Sequence, residues 1–524
     1  MNQKKFFIKT FGCQMNVADT ERMSALLSEG GMVETQDASQ ASLILINGCS
    51  VREKAVHKAV SFLGEMKVLK REEGDTRTNN EISWSKAGGP IIGLGGCVGQ
   101  LDKGEIFKRA PYIDFVFGPD AIDQLPEIVH RAESGDKYKS YTEFDPLMSY
   151  STETKIASAK AQAFVNIMKG CDKYCTYCIV PFTRGKEKSR TISEVLDDVA
   201  QLMKQGVKEV TLLGQNVNSF GKGNPNVAGL EPKELNNAIG KVGPRAGDEN
   251  FPQLLRAMDS DPRLAGLKRI RFTSSHPLDF SDELIECYHP VTGVKKLAPH
   301  LHLPVQSGSD RVLQKMGRHH KIENYIAQMD RLKAIRPDIG LTTDIIVGFP
   351  SETEEDFMQT MNLLDRVQFD LIYAFAYSPR PGTRASKLPD DVYKKEKNQR
   401  LNRVLAHQLT IGEKTFARRV GKTLEILVEG SAKTQSMDHA SGDSVWTGRT
   451  GCNVIVNFTS GESRNLIGKL LNVKITRSSS LSLTGELLVD PNHAESIATD
   501  SEAIWRNAPK NFAYKSPIQS EVVV

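Results

Sequence analysis

Short apolar runs recur along the amino-terminal part of the chain with polar, helix-periodic segments between them. KKFFIKT, SLILING, PIIGLGG and IDFVFGP read as strands, and helices are predicted over Asp19–Ser28 and Val51–Lys70. Strands alternating with helices predict an α/β unit built on a parallel sheet. The polar stretch Arg71–Gly89 reads as a surface excursion. The pattern dissolves over Thr142–Ala161, which marks a boundary. From Phe164 onward six more strand candidates follow, each with a loop or helix after it: AFVNIMK, KEVTLLG, LKRIRFT, HLHLPV, LTTDIIVGF and DLIYAFAYS. Six such units in series predict a partial barrel. Thr191 and Glu194 give the helix SEVLDDVAQLMKQ a capping-box start. The Gly-, Asn- and Pro-rich residues Gly221–Asn250 are predicted as a long loop after the second barrel strand.

Beyond a helix-like segment the pattern changes again, to TLEILVEG, VWTGRT, CNVIVNF, KLLNVKITR and SLTGELLV, spaced by Gly and Ser turns. Five short strands of this kind predict a small antiparallel β-barrel, an architecture that often holds single-stranded or looped nucleic acid. The fold class is therefore α/β: an amino-terminal parallel-sheet unit (1–145), a central partial (β/α)6 barrel (160–390), a basic helical connection (391–413), a small antiparallel barrel (414–490) and a tail (491–524). Trp505, Phe512 and Tyr514 suit the tail to docking on the body rather than floating free.

Composition bounds the function without choosing it. The 524 residues are 39% hydrophobic and 25% charged, as in a soluble globular protein. No run of about 18 apolar residues could span a bilayer, and the opening MNQKKFFIKT lacks a signal-peptide core, so a cytoplasmic monomer without membrane contact is expected. A net charge of +4 proves no polyanionic partner. Its distribution matters more: Lys394–Lys422 carries nine Lys or Arg against two Glu, which suits either phosphate attraction or a solvated helix face. Eight cysteines in a reducing compartment point to metal or catalysis rather than a disulfide framework.

Cys171, Cys175 and Cys178 form the loop GCDKYCTYC directly after a predicted strand. Three thiolates at this spacing can occupy three corners of one iron–sulfur cube. A fourth local cysteine is absent, which leaves one iron open to an outside ligand. The amine and carboxylate of an amino acid can chelate that iron and set an attached sulfonium beside a reducible cluster. Zinc is the competing reading, but structural zinc wants four ligands in paired short spacings.

Cys13, Cys49 and Cys97 are far apart in sequence yet equivalent in setting. Each follows a predicted strand, in TFGC, INGC and GLGGC. Parallel strands bring their carboxyl ends to one sheet edge, so these three thiols are expected to converge there. Buried core cysteines are the plainer alternative, persuasive for one cysteine and much less so for three in register. Cys287 and Cys452 have no comparable setting and read as structural. His300 and His302 share one strand face and read as satisfied polar residues of the barrel rather than metal ligands. Gln215, Asn216 and Ser307 sit where barrel strands end, positions that suit contacts to S-adenosylmethionine or ordinary turn chemistry.

The segments FGCQMN, CSVREKA, GGC, FGP, MKGCDKYCTYCIVPFTRGKEKSR, GQNVN, FTSSHP, LHLPVQSGSD and IVGFP, in this order over nearly the whole chain, resemble the radical S-adenosylmethionine methylthiotransferases. Within that family GQNVN and CSVREKA look most like the branch that methylthiolates isopentenyladenosine at tRNA position 37. The branches acting on threonylcarbamoyladenosine or on a ribosomal protein are the alternatives, with a non-catalytic iron–sulfur RNA-binding protein further off. The resemblance implies two [4Fe–4S] clusters, one on Cys171, Cys175 and Cys178 and an auxiliary one on Cys13, Cys49 and Cys97. It also implies that S-adenosylmethionine is consumed twice, as methyl donor and as radical source, and that the carboxyl-terminal barrel is an RNA-holding TRAM domain. The implied partners are a tRNA anticodon stem-loop, an external electron donor and a donor of sulfur or of clusters. One departure from the family pattern is Gly48 before Cys49, where threonine is expected.

Overall fold

The computed structural model describes residues 3–51, 53–70, 89–144, 154, 161–222, 249–432, 444–460 and 465–488. The predicted excursion after Arg71, most of the Thr142–Ala161 boundary, the body of the Gly221–Asn250 loop and the tail from Pro491 lie outside them.

The amino-terminal unit is a six-stranded sheet, all parallel, made of β1 (Lys5–Phe11), β2 (Val33–Glu34), β3 (Leu43–Gly48), β4 (Ile91–Gly95), β5 (Phe115–Phe117) and β6 (Lys139–Tyr141). Its order is β2-β1-β3-β4-β5-β6. β3 is buried along its whole length, because helices cover both faces of a parallel sheet. Ile44, Ile46, Ile92 and Leu94 pack on one face, and Leu43, Leu45, Phe115 and Phe117 on the other. The first helix runs over Gln14–Glu29, five residues earlier than the periodicity predicts, and starts directly from Cys13.

The barrel comprises β7 (Gln162–Asn166), β10 (Glu209–Leu213), β11 (Arg269–Phe272), β12 (His300–His302), β13 (Gly340–Val347) and β14 (Leu371–Ala376), with a small antiparallel pair, β8 (Met168–Lys169) and β9 (Lys188–Ser189), beside it. All six predicted strands are present, in two parallel sheets of three, β11-β10-β7 and β12-β13-β14. An isolated bridge between Ile270 and Leu297 links the halves. The capping box of Thr191 and Glu194 opens the helix Ile192–Lys204.

The basic segment is a helix over Lys394–Ala417 that docks on the barrel through Val404 and Ile411. Much of its positive charge is spent there. Arg400 Nη1 reaches Glu352 Oε1 at 2.8 Å, Arg403 Nη1 reaches Glu354 Oε1 at 2.6 Å, and Lys397 Nζ reaches Asp390 Oδ1 at 2.6 Å. Arg419, just beyond the helix, pairs with Asp370 at 2.7 Å. The local excess of cations thus serves docking more than phosphate attraction.

The carboxyl-terminal strands, β15 (Thr423–Ser431), β16 (Ser444–Thr450), β17 (Ile455–Ser460), β18 (Leu470–Ser478) and β19 (Ser482–Leu487), close into a barrel of order β15-β16-β17-β19-β18. It is antiparallel except between β17 and β19, which run parallel. Arg269 and Arg271 of β11 hold it to the central barrel: Arg269 Nη2 pairs with Glu425 at 2.7 Å, and Arg271 donates to the carbonyls of Thr450 and Gly451, both at 2.7 Å.

Candidate functional site

The three separated cysteines converge as expected. β1, β3 and β4 are neighbours, Phe11 is in register with Gly48, and Gly48 bridges to Gly96. Cys13, Cys49 and Cys97 therefore emerge side by side from three adjacent strand ends. Two glycines make this possible. Gly12 takes φ +145° and any Cβ there would collide with Cys49; Gly96 takes φ +75° and a Cβ would strike the Asn47 side chain. A buried amide pair fixes the Cys13 turn: Asn16 Nδ2 donates to Asn47 Oδ1 at 2.9 Å, Asn47 Nδ2 donates to the Asn16 carbonyl at 2.8 Å, and Cys13 Sγ donates to Asn16 Oδ1 at 3.3 Å.

Cys49 and Cys97 are buried, and Cys13 packs with Leu213 and Phe164 of the barrel. The trio thus lies against the central barrel. A hydrogen bond from Cys49 and the charge of Arg184 draw the Cys13 thiol down to about 6, while burial pushes Cys97 up. At Gly48, where the resemblance leads one to expect threonine, a Cβ would meet Val98 Cγ2 at 2.8 Å and Val98 Cβ at 3.0 Å. Val98 fills the space that a side chain at position 48 needs.

The second trio sits on the loop between β8 and β9. Burial pushes Cys171 and Cys178 up to about 12, and the charge of neighbouring thiols adds to the rise. A cavity of about 300 Å³ opens beside them, lined by Tyr174, Cys175, Thr176, Cys178, Pro181, Phe182 and Arg384. A larger depression of about 650 Å³ around Asp197 and Arg263 lies on the outer helix Ile192–Lys204, away from every thiol.

Gln215 Oε1 accepts from the Gly170 backbone N–H at 2.5 Å, so its side chain pins the residue before Cys171. Asn216 is buried, donates to Asp279 Oδ2 at 2.7 Å and leaves its Oδ1 without a partner. Ser307 is buried and bonds within its own loop and to Thr360, at 3.2 Å from the Ser309 N–H and 3.5 Å from Thr360 Oγ1. Gln215 and Ser307 are thus engaged in local hydrogen bonds, while Asn216 Oδ1 has no partner among the described residues. His300 and His302 share the Thr342 hydroxyl at 3.3 and 3.0 Å, which makes them satisfied polar residues. Cys287 is a buried residue just past a short helix, and Cys452 lies in a turn before β17, donating to the Asp338 carbonyl at 3.2 Å.

Several residues near the second trio are not visible from sequence spacing. Arg318 is buried with Nη1 3.9 Å from Cys175 Sγ and donates through Nη2 to the Pro304 carbonyl, while its Nε is unpartnered. His276 and His320 stand 6.1 Å apart, ring to ring, with His276 Nε2 and both His320 nitrogens unpartnered. Burial and the Arg318 charge drive them down to about 2 and about 4, so both are neutral. Asn218 is buried with neither side-chain polar atom partnered among the described residues. Buried polar groups are ordinarily paired with protein, ordered water or a ligand. The only available signal was their place in the segments GQNVN, FTSSHP and MGRHH.

The donor sets fit iron–sulfur clusters. Each trio supplies three thiols and no fourth cysteine, and a cube spreads its thiolates over separate corners.

A three-cysteine loop at the start of a parallel partial barrel is the mark of a radical S-adenosylmethionine protein, and residues 165–364 match the Radical SAM superfamily. Residues 5–118 match the family described as Uncharacterized protein family UPF0004, and residues 417–488 match the TRAM domain. Among curated proteins, the tRNA-2-methylthio-N(6)-dimethylallyladenosine synthase of Francisella philomiragia is 43% identical, covering 93% of this chain and 99% of its own length. The synthase of the same name from Acidovorax sp. strain JS42 is 42% identical over 93% of this chain and 98% of its own. The chain belongs to this family of tRNA-2-methylthio-N(6)-dimethylallyladenosine synthases. Among solved structures, the radical S-adenosylmethionine methyltransferase TsrM of Kitasatospora setae superposes with a TM-score of 0.47 at 13% identity, covering 73% of this chain and 74% of that one.

Proposed function

We propose that this chain adds a methylthio group to carbon 2 of isopentenyladenosine beside the tRNA anticodon, in the cytoplasm and as a monomer. Membership of the synthase family supports the reaction class. The observation that carries the reading is the placement of two cysteine trios on adjoining elements, one at the edge of the amino-terminal sheet that lies against the barrel and one on the barrel's β8–β9 loop.

Cys171, Cys175 and Cys178 are assigned to one [4Fe–4S] cluster and Cys13, Cys49 and Cys97 to a second, each with one iron open. Bound there, such clusters supply one-electron cleavage of S-adenosylmethionine and a place to hold the sulfur that is transferred. The chain's own residues do the rest. Gln215 holds the backbone before Cys171, so the loop keeps its shape before a cluster arrives. Arg318 brings a fixed positive charge beside Cys175, suited to the carboxylate of S-adenosylmethionine. Neutral His276 and His320, with Asn216 and Asn218, offer unpaired donors and acceptors to the ribose, adenine or target base. The two domains must exclude water and stray hydrogen donors from a carbon radical, and the target base leaves its stack to reach this interior. Reductant and replacement sulfur come from outside partners. The TRAM-like barrel, tied to the central barrel by Arg269 and Arg271, is the part assigned to hold the RNA.

Anaerobic iron loading tests the ligands: about eight iron atoms per chain are expected, falling by about four when either trio is replaced by alanine. Four in the intact chain would refute the two-cluster assignment. Mass analysis of tRNA from cells lacking the protein should show isopentenyladenosine without its methylthio group; unchanged methylthio content would refute the substrate.

A further inference from the structure

The radical-core segment that follows Cys178 reaches out of the barrel and into the amino-terminal domain. The short helix Val180–Arg184 ends on Arg184, whose side chain is 6% exposed. Its guanidinium makes a fork with Asp19, Nη2 to Oδ2 at 2.6 Å and Nη1 to Oδ1 at 3.3 Å. Asp19 belongs to the helix that starts at Cys13. The helix of Arg184 packs on the helix Gly96–Asp102, which carries Cys97, and the Arg184 charge favours the thiolates of both Cys97 and Cys13. One arginine therefore sits beside one trio and is joined to the other by six residues of chain.

We infer that Arg184 is a positioning residue for the auxiliary site: it neutralises the negative charge that sulfur ligands bring to the Cys13–Cys49–Cys97 corner and thereby sets that cluster's reduction potential, while Asp19 holds it in place. This rests on the assignment of the three cysteines to a cluster. Each anionic sulfur added to a three-thiolate cluster increases the negative charge buried there, and a buried charge is little screened by solvent. Cluster potentials respond to net charge and to hydrogen bonds on sulfur. A buried cation fixed on the neighbouring domain makes the auxiliary cluster easier to reduce and its extra sulfur ligand easier to hold. It also makes correct docking of the two domains a condition for that electrostatic environment.

The test uses the full chain with Cys171, Cys175 and Cys178 replaced by alanine, so that only the auxiliary cluster is reconstituted, and follows its reduction by electron paramagnetic resonance during a redox titration. Arg184→Gln should shift the midpoint to more negative potential, because it removes the cation and leaves Asp19 uncompensated. Asp19→Asn should shift it the opposite way. Potentials are read only on cluster-loaded protein, so a variant that merely loosens the seam lowers iron content without moving the midpoint. Should Arg184→Gln fail to load, Asp19→Asn alone decides. Unchanged midpoints in loaded Arg184→Gln or Asp19→Asn overturn the inference. If the parent triple variant binds no iron at all, the ligand assignment itself fails.

Discussion

Gly48 is the position where the resemblance leads one to expect threonine, and placing threonine there tests how the Cys13–Cys49–Cys97 corner is packed. The residue closes β3, is buried, and is followed at once by Cys49. A Cβ at this point would approach Val98 Cγ2 to 2.8 Å and Val98 Cβ to 3.0 Å, with Ala59 Cβ at 3.5 Å. Val98 is β-branched and in a helix, so it has little rotamer freedom with which to yield. Overpacking of this kind costs roughly 1–3 kcal/mol, and Gly48→Thr should destabilise the amino-terminal domain by about 2 kcal/mol. Val98→Ala alone removes two buried methyl groups, at about 0.8 kcal/mol each plus part of a cavity term, for about 2 kcal/mol in all. If the two sites were independent the double variant would lose about 4 kcal/mol. Because the threonine occupies the volume that valine vacates, the double variant should lose only about 1 kcal/mol, a coupling of about 3 kcal/mol. Urea unfolding of the apoprotein measures these differences, and Gly48→Ala, which has the same Cβ without a hydroxyl, separates crowding from the cost of burying a polar group. Iron content gives an independent reading, since a displaced Cys49 should cost Gly48→Thr part of the auxiliary iron and Val98→Ala should return it. Additive losses in the double variant would refute the packing argument.

Gln215→Ala should leave the Gly170 N–H without its partner, at about 1–3 kcal/mol, and speed iron loss to a chelator from the Cys171 trio while the Cys13 trio keeps its iron. Arg400→Ala should destabilise the central barrel by about 3–5 kcal/mol, because Glu352 stays buried without its guanidinium; a paired Arg400→Met, Glu352→Gln change should recover most of the loss in thermal unfolding. Three buried histidines, His276, His300 and His320, are held below the ordinary histidine value of 6.5 chiefly by desolvation and further by the charge of nearby cations. The unfolded chain binds more protons there than the folded one, so stability present above about 6.5 is lost as pH falls. Each histidine should account for about 1.4 kcal/mol between pH 7.5 and 5.5. His300→Asn should shrink that pH dependence by this amount, and an unchanged dependence would contradict burial as the cause.

Much of the fold was legible because its strands are either alternating or continuously apolar and are bounded by glycine. The convergence of Cys13, Cys49 and Cys97 followed from the same signal, since each comes one or two residues after a strand and parallel strands share a carboxyl edge. The start of the first helix was not legible. Cys13 occupies the N-cap position without a side-chain cap bond, so the Ser, Thr, Asp or Asn that usually announces a helix is missing. β2, β6, β8 and β9 are two or three residues long and carry no readable period. The parallel pairing of β17 with β19 follows from how the barrel closes and leaves no mark on either strand.

The residues that sequence reasoning missed share a different property: their partners are remote. Arg184 meets Asp19 across 165 positions and Arg318 meets Cys175 across 143. The two readings of the basic helix stayed open for the same reason, because Arg400 and Arg419 find their carboxylates 48 and 49 residues upstream. A run of cations looks alike whether it awaits phosphate or is already paired, and only the fold supplies the difference. These buried ion pairs are not efficient sources of stability, since desolvation consumes much of what the attraction gives. They do discriminate sharply between one arrangement and its neighbours, because a shifted seam strands a charge in the interior. Arg184 with Asp19, Lys169 with Asp120, and Arg269 with Glu425 all join separate parts of the chain. Apolar surfaces alone would let the amino-terminal sheet and the small barrel slide on the central one. A reaction that needs two thiol trios and a base in fixed relation cannot tolerate that sliding, which is why polar contacts sit at the seams while the cores of the three parts remain apolar.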